Sequence, residues 1–173
     1  MAETKQPFER AMALAALCGS KIALGPAFYK TSKGAPDANH WVIAAIGEML
    51  LDKIGVFPAR FKPLLLIPHT VAGAWVARES LKDDGIDDPS SVAMAAVVAA
   101  GVAAVAPMIR ITGRRILGIP DPILGLVEDY IALRLGSQAL GVSMDQVKHA
   151  AHEAVEDAKG HVKPVLESVG IGG

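Results

Sequence analysis

Three observations predict the fold class, an all-α membrane-embedded bundle of about five spans. The run Pro89 to Ile109, PSSVAMAAVVAAGVAAVAPMI, is 21 residues long and carries no charge, and about 20 mostly apolar residues cross a bilayer core of about 30 Å. Four further apolar stretches accompany it, and none alternates as a strand would: Ala and Leu dominate over Val, Thr and Tyr. Small residues fill all of these stretches, and in lipid close packing through Gly, Ala and Ser does much of the work of helix association.

The first stretch runs from Ala11 to Phe28 and is interrupted by Lys21. The second, Asn39 to Val56, carries Glu48, Asp52 and Lys53. The third, Pro63 to Ala77, holds His69. The fourth is the uncharged run, extended by Arg110. The fifth, Pro122 to Leu140, carries Glu128, Asp129 and Arg134. Between them SKGAPDAN, VFPARFKP, SLKDDGIDDPS and RRILGIPDP read as loops of Gly, Pro and Asp. These stretches make a membrane-embedded domain of residues 1–141. Residues 142–173 read as a water-facing amphipathic helix and a mobile tail. Ser143 and Gln146 fit a capping box. Val147, Ala150, Ala151, Ala154, Val155 and Ala158 then form one apolar stripe, ending near Gly160 or before Pro164.

Composition supports this class and excludes others. Apolar residues make up 51% of the chain, aromatics 5% and charged residues 20%, the last gathered mostly outside the apolar runs. A net charge of −1 provides no basic field for nucleic acid. The single Cys18 cannot form an intrachain disulfide. The start, MAETKQPFER, lacks a basic n-region and a cleavage site, so the first apolar run is expected to remain in the mature protein. No Walker loop, zinc pair or nucleophile elbow is present, and no nucleophile–base pair is visible. The expectation is therefore no enzyme, no cofactor and no metal. His149 and His152 share a helix face, but two ligands alone do not make a site.

The two halves resemble each other loosely. Gly19, Gly25-Pro26, Pro36-Asp37 and Gly47-Glu48 are answered by Gly101, Pro107, Pro120-Asp121 and Gly125 with Glu128. One span between two such units would invert the second, as in transporters with inverted repeats. Chance similarity between Ala/Gly-rich helices is the alternative. On the repeat reading Pro26 and Pro107 break their helices and free backbone dipoles for an ion or polar solute. A charge at membrane depth is costly, so Lys21, Glu48, Asp52, Glu128 and Asp129 are the candidate polar path. Lys21 would pair with Glu48 or Glu128. The alternative is a structural ion pair that fixes packing, with Asp52, Lys53 and Arg134 snorkelling at span ends. Arg110, Arg114 and Arg115 read as a headgroup contact.

The segments GSKIALGPAFY, IGEMLLDKIGVFPARFKP and HTVAGAWVA resemble a bacterial family of small integral membrane proteins known only as a domain of unknown function. Gly19, Gly47, Glu48, Asp52, Lys53, Gly73 and Ala74 fit its pattern of Gly-x-Arg-Ser, Gly-Glu-x-x-x-Asp-Lys-x-Pro and Arg-x-x-x-Gly-Ala. Lys21 stands where the family usually has Arg, Ser20 precedes it rather than follows, and His69 stands at another usual Arg. The resemblance covers roughly residues 10 to 140 and implies a membrane location without an activity.

Five spans put the termini on opposite sides, and the count of Lys and Arg near the span ends places the N-terminus in the cytoplasm. The expected location is the cell membrane, multi-pass. The partners are the lipid bilayer and other membrane subunits or a second copy, not nucleic acid. The leading function is a channel or transporter for an ion or small polar solute. The second is a non-catalytic accessory or assembly subunit of a larger membrane complex, which native sizing would reveal. A soluble bundle, recoverable without detergent, is the third.

Overall fold

The computed structural model describes residues 6–53 and 63–168. Every regular element among them is a helix: α1 Pro7–Ser20, α2 Leu24–Ser32, α3 Ala38–Lys53, α4 Pro63–Lys82, α5 Pro89–Leu117, α6 Asp121–Leu140 and α7 Met144–Ser168. The boundaries follow local chemistry. Pro7 opens α1, where a missing N–H costs nothing. Asp88 caps α5 by accepting from the Ser90 and Ser91 N–H groups at 3.0 and 3.1 Å. Gly118 and Gly141 close α5 and α6 in left-handed conformations, with φ of 64° and 66°, which a residue without Cβ adopts freely. The VFPARFKP loop lies almost wholly outside the described residues.

The first apolar stretch departs from expectation. It is not one crossing helix but a hairpin, α1 and α2, turning at Lys21–Ala23. Arg10 near the start of α1 hydrogen-bonds Ser80 Oγ at 3.0 Å and pairs with Asp84. Tyr29 near the end of α2 donates to Asp83 Oδ2 at 2.9 Å. Both arms therefore meet the same corner at the end of α4, and the hairpin returns to the end of the bundle from which it set out. Gly25 allows the arms to approach, because a Cβ there would overlap Cys18 Sγ and lie 2.7 Å from Leu14 O. The turn falls before Pro26, which sits in the first turn of α2. The break expected at Pro107 is absent: α5 runs through it without interruption. Neighbouring groups tolerate the lost N–H, so the first helices of the two halves are built differently.

Helices α3 to α6 alternate in direction beside this hairpin. The end that holds Arg10, Tyr29 and Asp83 also carries Trp41 stacked on Trp75 at 5.7 Å, with Lys30 above the Trp75 ring. Asp37 there accepts from Trp41 Nε1 and pairs with Lys30. Burial pushes the Asp83 carboxyl up, but Lys33 at 2.9 Å and the Tyr29 hydroxyl outweigh it and hold it below its ordinary value. The opposite end holds the α5–α6 turn at Gly118–Pro120.

The faces of α5 and α6 are sorted in an unusual sense. α6 turns Gly125, Asp129, Ala132, Gly136 and Ser137 inward and leaves Ile123, Leu126, Val127, Tyr130 and Ile131 outward. α5 buries Ala95, Ala99 and Ala103 and exposes Met94, Val97, Val105, Met108 and Ile109. In these two helices large apolar side chains lie outside and small or charged ones inside, while Leu14, Leu17, Leu24, Phe28, Val76 and Leu81 of α1, α2 and α4 are buried. α5 is the one helix among the described residues long and apolar enough by itself to cross a membrane, with a mean hydropathy of 2.3 over its best window.

Helix α7 packs its expected stripe against the bundle: Ala154 is fully buried, and the other stripe residues are half-buried. Its capping box is reciprocal, Gln146 N–H to Ser143 Oγ at 3.1 Å and Ser143 N–H to Gln146 Oε1 at 2.7 Å. The helix does not stop at Gly160 or Pro164 but continues to Ser168. The tail beyond it lies outside the described residues.

Candidate functional site

The hairpin turn carries Lys21 into the bundle. At this residue the chain leaves the helix for an extended conformation, φ −139° and ψ 128°. A turn at such depth frees backbone groups that must find partners. Lys21 N–H still reaches Leu17 O at 2.8 Å, and Leu24 N–H reaches Lys21 O at 3.1 Å. Cys18 O receives a hydrogen bond from His69 Nδ1 of α4 at 2.6 Å. A carbonyl only accepts, so the imidazole proton is on Nδ1. Ala23 N–H donates to Glu48 Oε2 of α3 at 2.8 Å, a carboxylate placed against the positive end of α2. Side chains of neighbouring helices thus close the broken ends expected to hold a solute.

The Lys21 side chain is 1% exposed and its ammonium sits among three carboxylates. Nζ lies 3.4 Å from Asp52 Oδ2, 3.3 Å from Glu128 Oε1 and 3.3 Å from Asp129 Oδ1. Arg110 of α5 approaches from the other side, with Nη1 2.6 Å from Asp52 Oδ2 and 3.7 Å from Glu128 Oε2. Lys53 pairs with Asp129. Ser20 Oγ donates to Glu128 Oε1 at 2.9 Å. Asp52 and Glu128 each lie between the same two cations. Lys21, Lys53 and Arg110 stand among Asp52, Glu128 and Asp129, and Arg110 also reaches a fourth carboxylate, Asp121. Burying any one of these charges alone would be severely unfavourable, and mutual pairing is what permits it.

The cluster has a deep end and a mouth. Arg110 Nη2 also meets Asp121 Oδ2 at 2.7 Å, and Asp121 is 42% exposed at the start of α6. Exposure falls from Asp121 through Arg110 to Lys21. Glycine makes room for this chain of contacts: the Arg110 guanidinium lies over α6 at Gly125, where a Cβ would come 3.1 Å from Nη2.

The structure brings four of the five expected path residues together: Lys21, Asp52, Glu128 and Asp129. Of the two partners expected for Lys21, Glu128 pairs with it, while Glu48 caps Ala23. Lys53 and Asp52 do not snorkel at a span end but face inward. Arg134 is exposed. Arg110 is the chief correction: expected at headgroups, it is 12% exposed and part of the cluster. A signal for this exists in the sequence. Ala95, Ala99 and Ala103 recur every fourth residue, and Arg110 follows one heptad later on the same face. Ser20 carries no such signal, because its role depends on the turn beside it. Among the described residues no group of three His, Cys, Asp or Glu is arranged to hold a metal. His149 instead lies 3.3 Å from Glu153 on the exposed side of α7. Comparison with known protein families, with curated proteins and with solved structures finds no match for this chain.

Proposed function

We propose that this chain is a small integral membrane protein that carries an ion or small polar solute through the buried charge cluster. In this reading α3, α4, α5 and α6 cross the bilayer, and α1–α2 is a re-entrant hairpin that delivers Lys21 to the interior. The observation that carries the membrane location is the sorting of α6: Ile123, Leu126, Val127, Tyr130 and Ile131 outward, Gly125, Asp129 and Gly136 inward. In water the apolar stripe would be unfavourable by about 25 cal/mol for each Å² exposed; in lipid it is the face that belongs outside. Trp41, Trp75, Tyr29 and Lys30 at one end match the amphipathic residues of a membrane–water boundary. Ionisable residues inside a bilayer are favoured by transport more than by packing alone, and this cluster reaches the surface at Asp121. The same reading keeps the chain beside the family of small membrane proteins that its motifs resemble.

The test is extraction followed by reconstitution. The protein is expected in the membrane fraction, released by detergent and not by alkaline carbonate. Purified protein in liposomes is expected to carry flux of a small ion or solute, lowered by Glu128→Gln. Recovery without detergent would overturn the membrane location. Flux unchanged by both Glu128→Gln and Glu48→Gln would overturn the path.

A further inference from the structure

We infer that the outward face of α5 pairs with α5 of a second copy of this chain, antiparallel, about a two-fold axis at Gly101. This rests on the membrane location read above and not on transport. Ser90, Met94, Val97, Gly101, Val105, Met108, Thr112 and Arg115 are all exposed and follow one another at intervals of three or four residues. That is the spacing with which one helix meets another along its length.

The seam reads the same from either end. Counting outward from Gly101, Val97 is answered by Val105, Met94 by Met108, Ser90 by Thr112 and, just before the helix, Asp87 by Arg115. In a two-fold contact residue i meets j and j meets i, so an axis at Gly101 sets each of these residues opposite its answering residue on the other copy. Apolar side chains then meet apolar ones, hydroxyl meets hydroxyl, and Asp87 meets Arg115 at both ends. Asp87 and Arg115 are exposed, and neither makes an ion pair among the described residues. A parallel pair would bring Asp87 against Asp87 and Arg115 against Arg115, so charge selects the antiparallel arrangement.

Gly101 supplies the close approach. A Cβ at Gly19 or Gly136 would lie 2.6 Å from another part of the same chain, whereas nothing lies within 4 Å of one at Gly101. The fold of the single chain accounts for the first two glycines and leaves the third to an outside surface. In lipid, helices associate largely where small residues let backbones approach, and Gly101 lies where the two backbones cross. Asp87 and Arg115 are 28 positions apart, about 42 Å along a helix. A bilayer with its headgroups is about 40–45 Å thick, so the two ion pairs fall in its two boundary layers. Because α5 crosses the bilayer in this reading, the two copies are inverted with respect to each other.

Disulfide trapping in native membranes tests this, with full-length chains carrying single cysteines in a Cys18→Ser background. Gly101→Cys lies on the axis and is expected to form a dimer on mild oxidation. Val97→Cys and Val105→Cys are each expected to stay monomeric alone. In the antiparallel pair position 97 lies about 12 Å along the axis from position 97 of the other copy, and a disulfide spans at most about 7 Å between Cα atoms. Co-expressed with different tags, the two variants are expected to link to each other. Either variant linking to itself indicates a parallel pair and overturns the proposal. So does a link to a different protein, or no dimer from Gly101→Cys and the Val97→Cys with Val105→Cys mixture alike. Sizing in mild detergent adds a second readout. Asp87→Arg is expected to lose dimer and Arg115→Asp in the same chain to restore it; no recovery overturns the register. Gly101→Leu, for which the single chain has room, is expected to lose dimer and keep the thermal midpoint of the monomer, and an undiminished dimer overturns the axis. Carbonate extraction of the same membranes separates the two readings: linked dimer recovered without detergent overturns the membrane location and leaves the α5 pair standing.

Discussion

Lys21 Nζ lies 3.3 Å from Glu128 Oε1, across 107 residues of chain. The contact ties the hairpin turn to the middle of α6 and makes the fold depend on a charge in its interior. Lys21→Met leaves Asp52, Glu128 and Asp129 without their shared counter-charge. It is expected to destabilise by about 3–5 kcal/mol, the usual cost of removing one partner from a buried ion pair. Lys21→Met combined with Glu128→Gln should be less destabilised than the sum of the two. A double-mutant cycle from denaturation in detergent measures this, and strict additivity would contradict the pairing.

His69→Ala removes the donor to Cys18 O at the hairpin turn. An unsatisfied buried carbonyl costs about 1–3 kcal/mol, and the lost ring volume adds to it. His69→Asn, which keeps a donor, is expected to lose less. Thermal unfolding of the two variants checks the order.

The glycines divide into tight and open positions. A Cβ at Gly136 would lie 2.6 Å from the Phe28 ring, and one at Gly19 would lie 2.6 Å from Ala99 O. Gly136→Ala is expected to cost about 1–3 kcal/mol by overpacking, with partial recovery in combination with Phe28→Leu. Gly47 and Gly101 have nothing within 4 Å, so Gly47→Ala and Gly101→Ala should leave the unfolding midpoint unchanged or raised.

The Asp88 cap gives a pH dependence outside the apolar core. Hydrogen bonds from Ser91 and Ser90 hold its carboxyl at about 2, below an ordinary value of 3.8. A depressed folded value contributes stability that is complete above the ordinary value and lost as the pH falls through about 2. The thermal midpoint of wild type should therefore exceed that of Asp88→Ala at neutral pH, and the gap should close in strong acid. A gap independent of pH would contradict the capping role.

The hairpin also predicts topology. On the membrane reading proposed above, arms that return to one corner leave α3 to α6 as the crossing helices, so the start of α1 and the start of α7 would share a side. In a Cys18→Ser background, Glu9→Cys and His152→Cys of one chain should react with an impermeant maleimide from the same face of the membrane, and its Arg115→Cys from the other. Labelling of Glu9→Cys and His152→Cys from opposite faces would restore the five-span arrangement.

Element type and position were legible because they rest on local properties. The uncharged run from Pro89 marked α5, the Ser143–Gln146 box marked α7, and the α7 stripe matched its buried face residue for residue. The rarity of charge in apolar stretches marked Lys21, Asp52, Glu128 and Asp129, because removing a charge from water is unfavourable enough to demand a partner wherever that partner lies in the chain. What the local pattern could not fix was direction. The chain from Ala11 to Phe28 is apolar on both sides of Ser20 and Lys21, and only packing at Gly25, with closure of the turn by His69 and Glu48, makes it double back. Arg110 followed the same logic: a basic group after an apolar run reads as a surface, and the Ala face of α5 decides that it points inward. By itself the sequence determined which residues avoid water and which are out of place among them. Tertiary structure decided how those charges neutralise one another, because pairing is set by which helix faces meet rather than by separation along the chain.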